Sequence, residues 1–378
     1  MSTANTPFSR RGALLAGSAA LAGGIGLAAQ ARAAVRWPEN TSPRALTPAQ
    51  RAGQRVIYSY PGLTPPARLL DAISGGRAAG VIFFGENIQS NKQIKGVIDQ
   101  LNEANEDAPI KAPLLLMTDQ EGGLVRRLPG APEMSAKEVG ESADPEAAAE
   151  DTGASAGENL LSAGMNANLA PVLDVYRKAG DFCDQYGRSY SKDADVVSTL
   201  GAEFITAQQA TGVAATAKHF PGLGPASASE NTDQGPVTLS TSLSTLRNKD
   251  QLPYKAAIRA GVQMIMLSWA IYPALDAERP AGLSPKVVDE LRTRLGYEGV
   301  TITDALEAGA LRNFGGVAER AVAAADAGMD LILCSARDVG QGHDAVAALR
   351  DALADGSLDG DAFDAGAARV NALRKSLA

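Results

Sequence analysis

Eight short apolar runs recur along this chain, and the stretches between them carry the spacing of amphipathic helices. The runs cover residues 55–60, 80–84, 113–118 and 165–171, then 213–217, 264–268, 299–303 and 330–334. Helical patterns lie between them, for example at 147–163, 194–211, 285–295 and 317–327. A strand that is apolar on both faces must be covered on both sides, and a helix after each strand supplies the cover. Eight β-then-α units predict an α/β fold, a single-domain (β/α)8 TIM barrel, with a doubly wound open sheet as the alternative. The chain has 378 residues, a length that α/β barrels reach as one domain.

The N-terminus has a different character. Ser9-Arg10-Arg11 stands before an uncharged Ala/Gly/Leu-rich run at 13–29, and Ala31-Arg32-Ala33 offers a small-x-small cleavage site. Residues 1–33 read as a twin-arginine signal peptide, 34–47 as a polar leader and 48–378 as the barrel. A transmembrane anchor is the competing reading, but glycine and serine interrupt a run too short to span well. No cysteine stands at the cleavage site, so no lipid anchor is expected there. The expectation is an exported protein, secreted or extracytoplasmic, without a stable membrane anchor.

Net charge is -8, which makes nucleic acid an unfavourable partner. Loss of residues 1–33 would remove three arginines and no acid, leaving the rest more acidic still. Cys183 and Cys334 are too few for a disulfide framework, and both are expected to be free. Two histidines and two distant cysteines form no metal-ligand spacing, so neither metal nor cofactor is expected.

Polar groups gather just past the apolar runs. Asp119-Gln120-Glu121 follows the third, Asp174 the fourth, Lys218-His219 the fifth, Trp269 the sixth, and Asp304 with Glu307 the seventh. In a parallel barrel these ends share one face, where active sites are built. The segment 218–236 is the richest: a cation and an imidazole side by side, then Pro221, Gly222 and Gly224, then a loop carrying Glu230, Asn231, Thr232 and Asp233. His343 follows Gly340-Gln341-Gly342 and reads as a solvated loop or a helix start.

The ordered motifs carry a resemblance. Asp119-Gln120-Glu121-Gly122-Gly123, Asn168-Leu169-Ala170-Pro171-Val172-Leu173-Asp174, Gly187-Arg188-Ser189-Tyr190-Ser191, Lys218-His219-Phe220-Pro221-Gly222 and Ile302-Thr303-Asp304-Ala305-Leu306 resemble the β-N-acetylhexosaminidases of glycoside hydrolase family 3. The likeness covers most of residues 50–340 and implies a single (β/α)8 barrel. It implies that Asp304 is the nucleophile and that Asp119, Arg127, Arg188, Lys218 and His219 hold the sugar. Such a site suits an oligosaccharide or muropeptide substrate, because charged donors and carboxylate acceptors fix vicinal hydroxyls.

One part of the family pattern is missing. Its better-known members carry a histidine acid/base in the loop after the fifth strand, and a second histidine after Lys-His-Phe-Pro-Gly. Here Leu223 replaces the latter, and the loop reads Ser229-Glu230-Asn231-Thr232-Asp233-Gln234-Gly235. Trp269 also replaces a histidine usual after the sixth strand. A loop acid is the remaining proton donor, with Asp233 the first choice, Glu230 the alternative, and a mobile rim loop as the expected setting. The expected function is removal of terminal β-linked N-acetylhexosamine from cell-wall or chitin-derived oligosaccharides. β-Glucosidase specificity, or a sugar-binding protein impaired in catalysis, is the alternative.

Overall fold

The computed structural model describes residues 46–377. The expected signal peptide and nearly all of the expected leader lie outside the described residues. Eight parallel strands carry the fold. They are β1 (Val56–Tyr58), β2 (Gly80–Ile82), β3 (Leu115–Thr118), β4 (Ala167–Asn168), β5 (Thr216–Phe220), β6 (Met264–Leu267), β7 (Val300–Thr303) and β8 (Ile332–Leu333).

They form two parallel sheets, ordered β8-β1-β2-β3-β4 and β7-β6-β5. Isolated parallel bridges run between the sheets on both sides: Ala167 with Ala214 and Val172 with Lys218, and Ile302 with Leu331. Two short antiparallel hairpins, Gln120–Gly122 with Val125–Arg126 and Ile271–Tyr272 with Asp276–Pro280, decorate the strand ends.

Successive strand residues enter different cores, as period-two geometry requires. Ile57, Ile82, Leu115, Met117, Met264, Met266, Ile302 and Leu333 belong to one buried cluster. Their neighbours Val56, Tyr58, Val81, Leu116, Ile265 and Ile332 join a larger cluster with helix residues such as Leu69, Ile94, Leu160 and Ile205. Both faces of these strands are dry, which explains runs of continuous rather than alternating apolar residues.

The helices start where the local chemistry favours it. Asp144 caps Pro145–Ala163 by accepting from the Ala147 N–H, and proline at the first turn has no amide left unsatisfied. Asp193 caps Ala194–Ala210 in the same way. The helix read at 285–295 appears as Pro285–Asp289 continued by a π-helical turn, Glu290–Arg294. His343 lies within the helix Val339–Ala354, half-buried with its ring edge-on to Tyr58 at 5.7 Å; it is packed, not solvated. Among the described residues, no helix is long and apolar enough to cross a membrane.

One strand departs from expectation in a way that shapes the site. The fifth apolar run ends at Ala217, yet β5 extends through Lys218 and His219 to Phe220. The Lys218 N–H donates to the Pro171 carbonyl, and the Ser268 N–H to that of Phe220. A charged residue fits inside a buried strand only when it is paired, and Lys218 is paired twice.

Candidate active site

The C-terminal ends of the strands open into a cavity of about 780 Å³. Asp119, Arg127, Arg188, Lys218, His219, Asp233 and Asp304 all line it. The sequence spreads these residues from position 119 to 304; the fold brings every one of them to one space.

An ion-pair chain forms part of the wall. Lys218 Nζ donates to Asp119 Oδ1 at 2.7 Å and lies 2.8 Å from Glu121 Oε1. Arg188 grips Glu121 with both arms, Nε to Oε2 at 2.8 Å and Nη2 to Oε1 at 2.7 Å. Burial works against the Glu121 charge, but Arg188 and Lys218 together outweigh it and hold the carboxyl well below its usual range. Burial likewise opposes the charge on Lys218, and Asp119 and Glu121 overcome it, so its pKa is raised. Glu121 itself does not line the cavity. It aims the two cations that do.

A second buried acid fixes the histidine. Asp174 Oδ2 sits 2.8 Å from His219 Nδ1, and its Oδ1 accepts from the Leu223 N–H at 2.7 Å. An ionised carboxylate only accepts, so Nδ1 carries the proton and Nε2 is the ring nitrogen left for a ligand. The Cys183 thiol points at the same carboxylate, 3.4 Å from Oδ2. Both cysteines are free and buried. Leu223, where the resembling enzymes carry histidine, lines the cavity as an apolar wall.

Arg127 is reached through Gln120. The Gln120 Oε1 accepts from the amides of Arg127 and Leu128, each at 3.0 Å, which fixes the chain after the Gln120–Gly122 hairpin. Arg127 Nε is buried without a hydrogen-bond partner.

Asp304 follows β7, and its Oδ1 accepts from the next amide, Ala305, at 2.7 Å. Burial raises its pKa and Asp233 pushes the same way, against the pull of His219 and Lys218. Asp233 and Asp304 line the same cavity. Glu230 is differently placed: one carboxylate oxygen accepts from both the amide and the hydroxyl of Ser227, at 2.8 and 2.7 Å, and the residue is not part of the cavity lining. Glu307 lines the cavity with its oxygens taken by Ser335 Oγ at 2.8 Å and Gln341 Nε2 at 3.1 Å.

The two carboxylate loops are strapped together. The Gly309 N–H donates to the Asp233 carbonyl at 2.8 Å, and the Ala310 N–H to that of Thr232 at 2.9 Å. A Cβ on Gly309 would lie 2.5 Å from the Gln234 carbonyl carbon, so only glycine allows this approach. Asn231 Oδ1 accepts from the Asp233 amide rather than touching its carboxylate.

Sequence reasoning placed Trp269 past the sixth strand but missed its partner. Its indole is 1% exposed, and Nε1 donates to the Ala305 carbonyl at 2.8 Å. It also missed the clasp of Asp174 on His219. Both residues stood out as polar or aromatic groups past strands, but nothing in the sequence told which partner each would meet.

Carboxylates and cations lining one cavity at the ends of parallel strands are the kind of site that α/β hydrolases of carbohydrates use. Comparison with known proteins agrees. The glycosyl hydrolase family 3 N-terminal domain matches residues 62–373, and the chain belongs to that family. It is 46% identical over 336 residues to an uncharacterized secreted glycosyl hydrolase of Arthroderma benhamiae, covering 88% of this chain and 95% of that one. It is 34% identical over 307 residues to a β-hexosaminidase of Xylella fastidiosa, covering 78% and 88%. Among solved structures, a family 3 β-N-acetylglucosaminidase from a Paenibacillus species superposes with TM-score 0.82 at 33% identity. That match covers 88% of this chain and 63% of the Paenibacillus chain.

Proposed function

We propose that the chain is an exported, retaining glycosidase that removes terminal β-linked N-acetylhexosamine, with Asp304 as nucleophile and Asp233 as acid/base. The observation that carries this reading is that Asp233 lines the same cavity as Asp304, while Glu230 lies outside the lining with a carboxylate oxygen bonded to Ser227. The sugar is held by Asp119, Arg127, Arg188, Lys218 and His219. The two parallel sheets, bridged on both sides, support reading the fold as one closed (β/α)8 barrel. The secreted Arthroderma relative supports export, which the twin-arginine segment would direct. The names of the Xylella and Paenibacillus proteins support N-acetylhexosamine as the sugar, with cell-wall or chitin fragments as the source.

In the first step Asp304 attacks the anomeric carbon, the C–O bond to the leaving group breaks, and Asp233 gives its proton to the departing oxygen. In the second, Asp233 takes a proton from water, the resulting hydroxide attacks the same carbon, and the bond to Asp304 breaks. Two inversions return the β configuration. The paired cations supply fixed charge to the sugar hydroxyls, so little reorganisation accompanies the reaction.

A 2-fluoro derivative of the β-glycoside should trap the intermediate, and mass spectrometry should find the label on the peptide containing Asp304. Label on another carboxylate overturns the assignment. The absence of a loop histidine favours one second reading, a protein that binds sugar without cleaving it. Binding without turnover across a panel of aryl β-glycosides would establish that reading, and faster cleavage of glucosides than of N-acetylglucosaminides would establish β-glucosidase specificity.

A further inference from the structure

An aromatic pair stands at the edge of the cavity, on the side of the loop that carries Asp233. Phe182 lines the cavity, and Tyr186 packs edge-on against it, with ring centroids 6.1 Å apart and planes at 82°. Phe182 is 6% exposed, but Tyr186 is 46% exposed, one of few large apolar side chains so open to solvent among the described residues. An exposed aromatic ring beside a carbohydrate cavity offers an apolar face to the C–H face of a pyranose.

The segment carrying both rings is built to stay in place. Asp181 Oδ2 accepts from the amides of Arg177 and Lys178, at 3.0 and 2.6 Å. Asp184 accepts from the Gly180 amide at 2.7 Å and from Lys137 Nζ at 2.8 Å. Arg177 pairs with both oxygens of the buried Asp250 at 2.7 Å. The same segment delivers Arg188, two residues beyond Tyr186, to the sugar-holding wall.

It is also tied to the loop that carries Asp233. The Phe182 N–H donates to the Ala226 carbonyl at 3.2 Å, and Gln185 Nε2 to that of Ala228 at 3.1 Å. A proton donor must reach the bond between the cleaved sugar and its leaving group. The leaving group therefore lies on the donor-loop side, where these rings stand.

We propose that Tyr186, backed by Phe182, is a platform for the leaving-group sugar, so that the enzyme prefers a pyranose leaving group to a small one. The inference rests on the reading of Asp233 as proton donor. Arg188 and Tyr186 then read two adjacent sugars from one rigid segment.

The test compares N,N′-diacetylchitobiose, whose leaving group is a pyranose, with N-acetyl-β-glucosaminyl fluoride, whose leaving group is too small to reach Tyr186. In Tyr186→Ala the ratio of kcat/KM for disaccharide over fluoride should fall on the order of tenfold. Tyr186→Phe, which keeps the ring, should hold the ratio within about twofold of wild type. An unchanged ratio in Tyr186→Ala overturns the platform. If wild type cleaves neither substrate, the glycosidase reading fails separately, and calorimetry decides the platform. Disaccharide binding tighter than monosaccharide in wild type but not in Tyr186→Ala supports it; equal affinities overturn it.

Discussion

Trp269 holds the residue after Asp304, the proposed nucleophile: its indole N–H donates to the Ala305 carbonyl at 2.8 Å, from a side chain that is itself fully packed. The ring lies against Gly282, where a Cβ would come within 2.6 Å of it. A turn carrying a reactive carboxylate is thereby fixed from below by a donor that never meets the substrate. Trp269→Phe keeps much of the packing and removes the donor. It should lower kcat about tenfold with KM within about twofold, since positioning of Asp304 matters in the transition state. Melting should drop by only a few degrees. A kcat equal to wild type would remove Trp269 from the positioning role.

Asp233 should reveal itself through the leaving group. Asp233→Ala should cripple substrates with poor leaving groups by about 10²–10⁴-fold, while activated aryl glycosides still form the intermediate. Azide should restore turnover by replacing the water that Asp233 no longer activates. If Glu230→Ala shows this pattern and Asp233→Ala does not, the two roles exchange.

The acid limb of the pH profile reports Asp304. Burial raises its pKa, and the proposed nucleophile must be ionised, so kcat/KM should rise with pH through that raised value. A proton donor is neutral while the nucleophile ionises, so Asp233→Asn removes no charge there and should leave the acid limb in place. This is read on an activated aryl glycoside, which does not need the proton donor. A limb that moves to lower pH would show Asp233 ionised beside Asp304 and remove it as the donor.

Glu121→Gln should harm binding and stability together. Lys218 and Arg188 would lose a charge partner inside the wall, a change worth about 3–5 kcal/mol when a buried pair is broken. The carboxyl of Glu121 is depressed in the fold, so its contribution is present above the usual carboxylate range and is lost as pH falls towards the folded value. Denaturant titrations of wild type and variant should therefore converge in acid. KM should rise as the two cations lose their aim.

Export is tested separately. Arg10→Lys combined with Arg11→Lys should leave uncleaved precursor in the cytoplasm, seen by fractionation and N-terminal sequencing near Ala34 in wild type. Normal secretion of the double variant rejects a twin-arginine signal.

The strand pattern was legible because each strand is dry on both faces, which leaves continuous apolar runs such as Met264–Leu267. β5 was misread at its end for the same reason in reverse. Lys218 and His219 interrupt the apolar run, and only contacts with Asp119, Glu121 and Asp174, all distant in sequence, make them tolerable inside a strand. The cavity-lining residues Asp119, Arg127, Arg188, Lys218, His219 and Asp304 were legible as motifs. The different settings of Asp233 and Glu230 were not, because they depend on the local bond of Glu230 to Ser227 and on the docking of the Asp233 backbone against Gly309. The partners of Trp269 and Asp174 were hidden likewise, since a side chain's chemistry names the kind of partner it needs and not its address.

The main-chain bonds from Gly309 and Ala310 to the carbonyls of Asp233 and Thr232 have a consequence for how substrate enters. The Asp233 loop and the Asp304 turn share one backbone seam, so neither swings aside alone without unzipping it. Glu86 and Arg337 form another lip of the cavity, and their 3.5 Å contact is exposed and easily parted. A crosslink across that lip should slow exchange of sugar, whereas one across the seam should cost little.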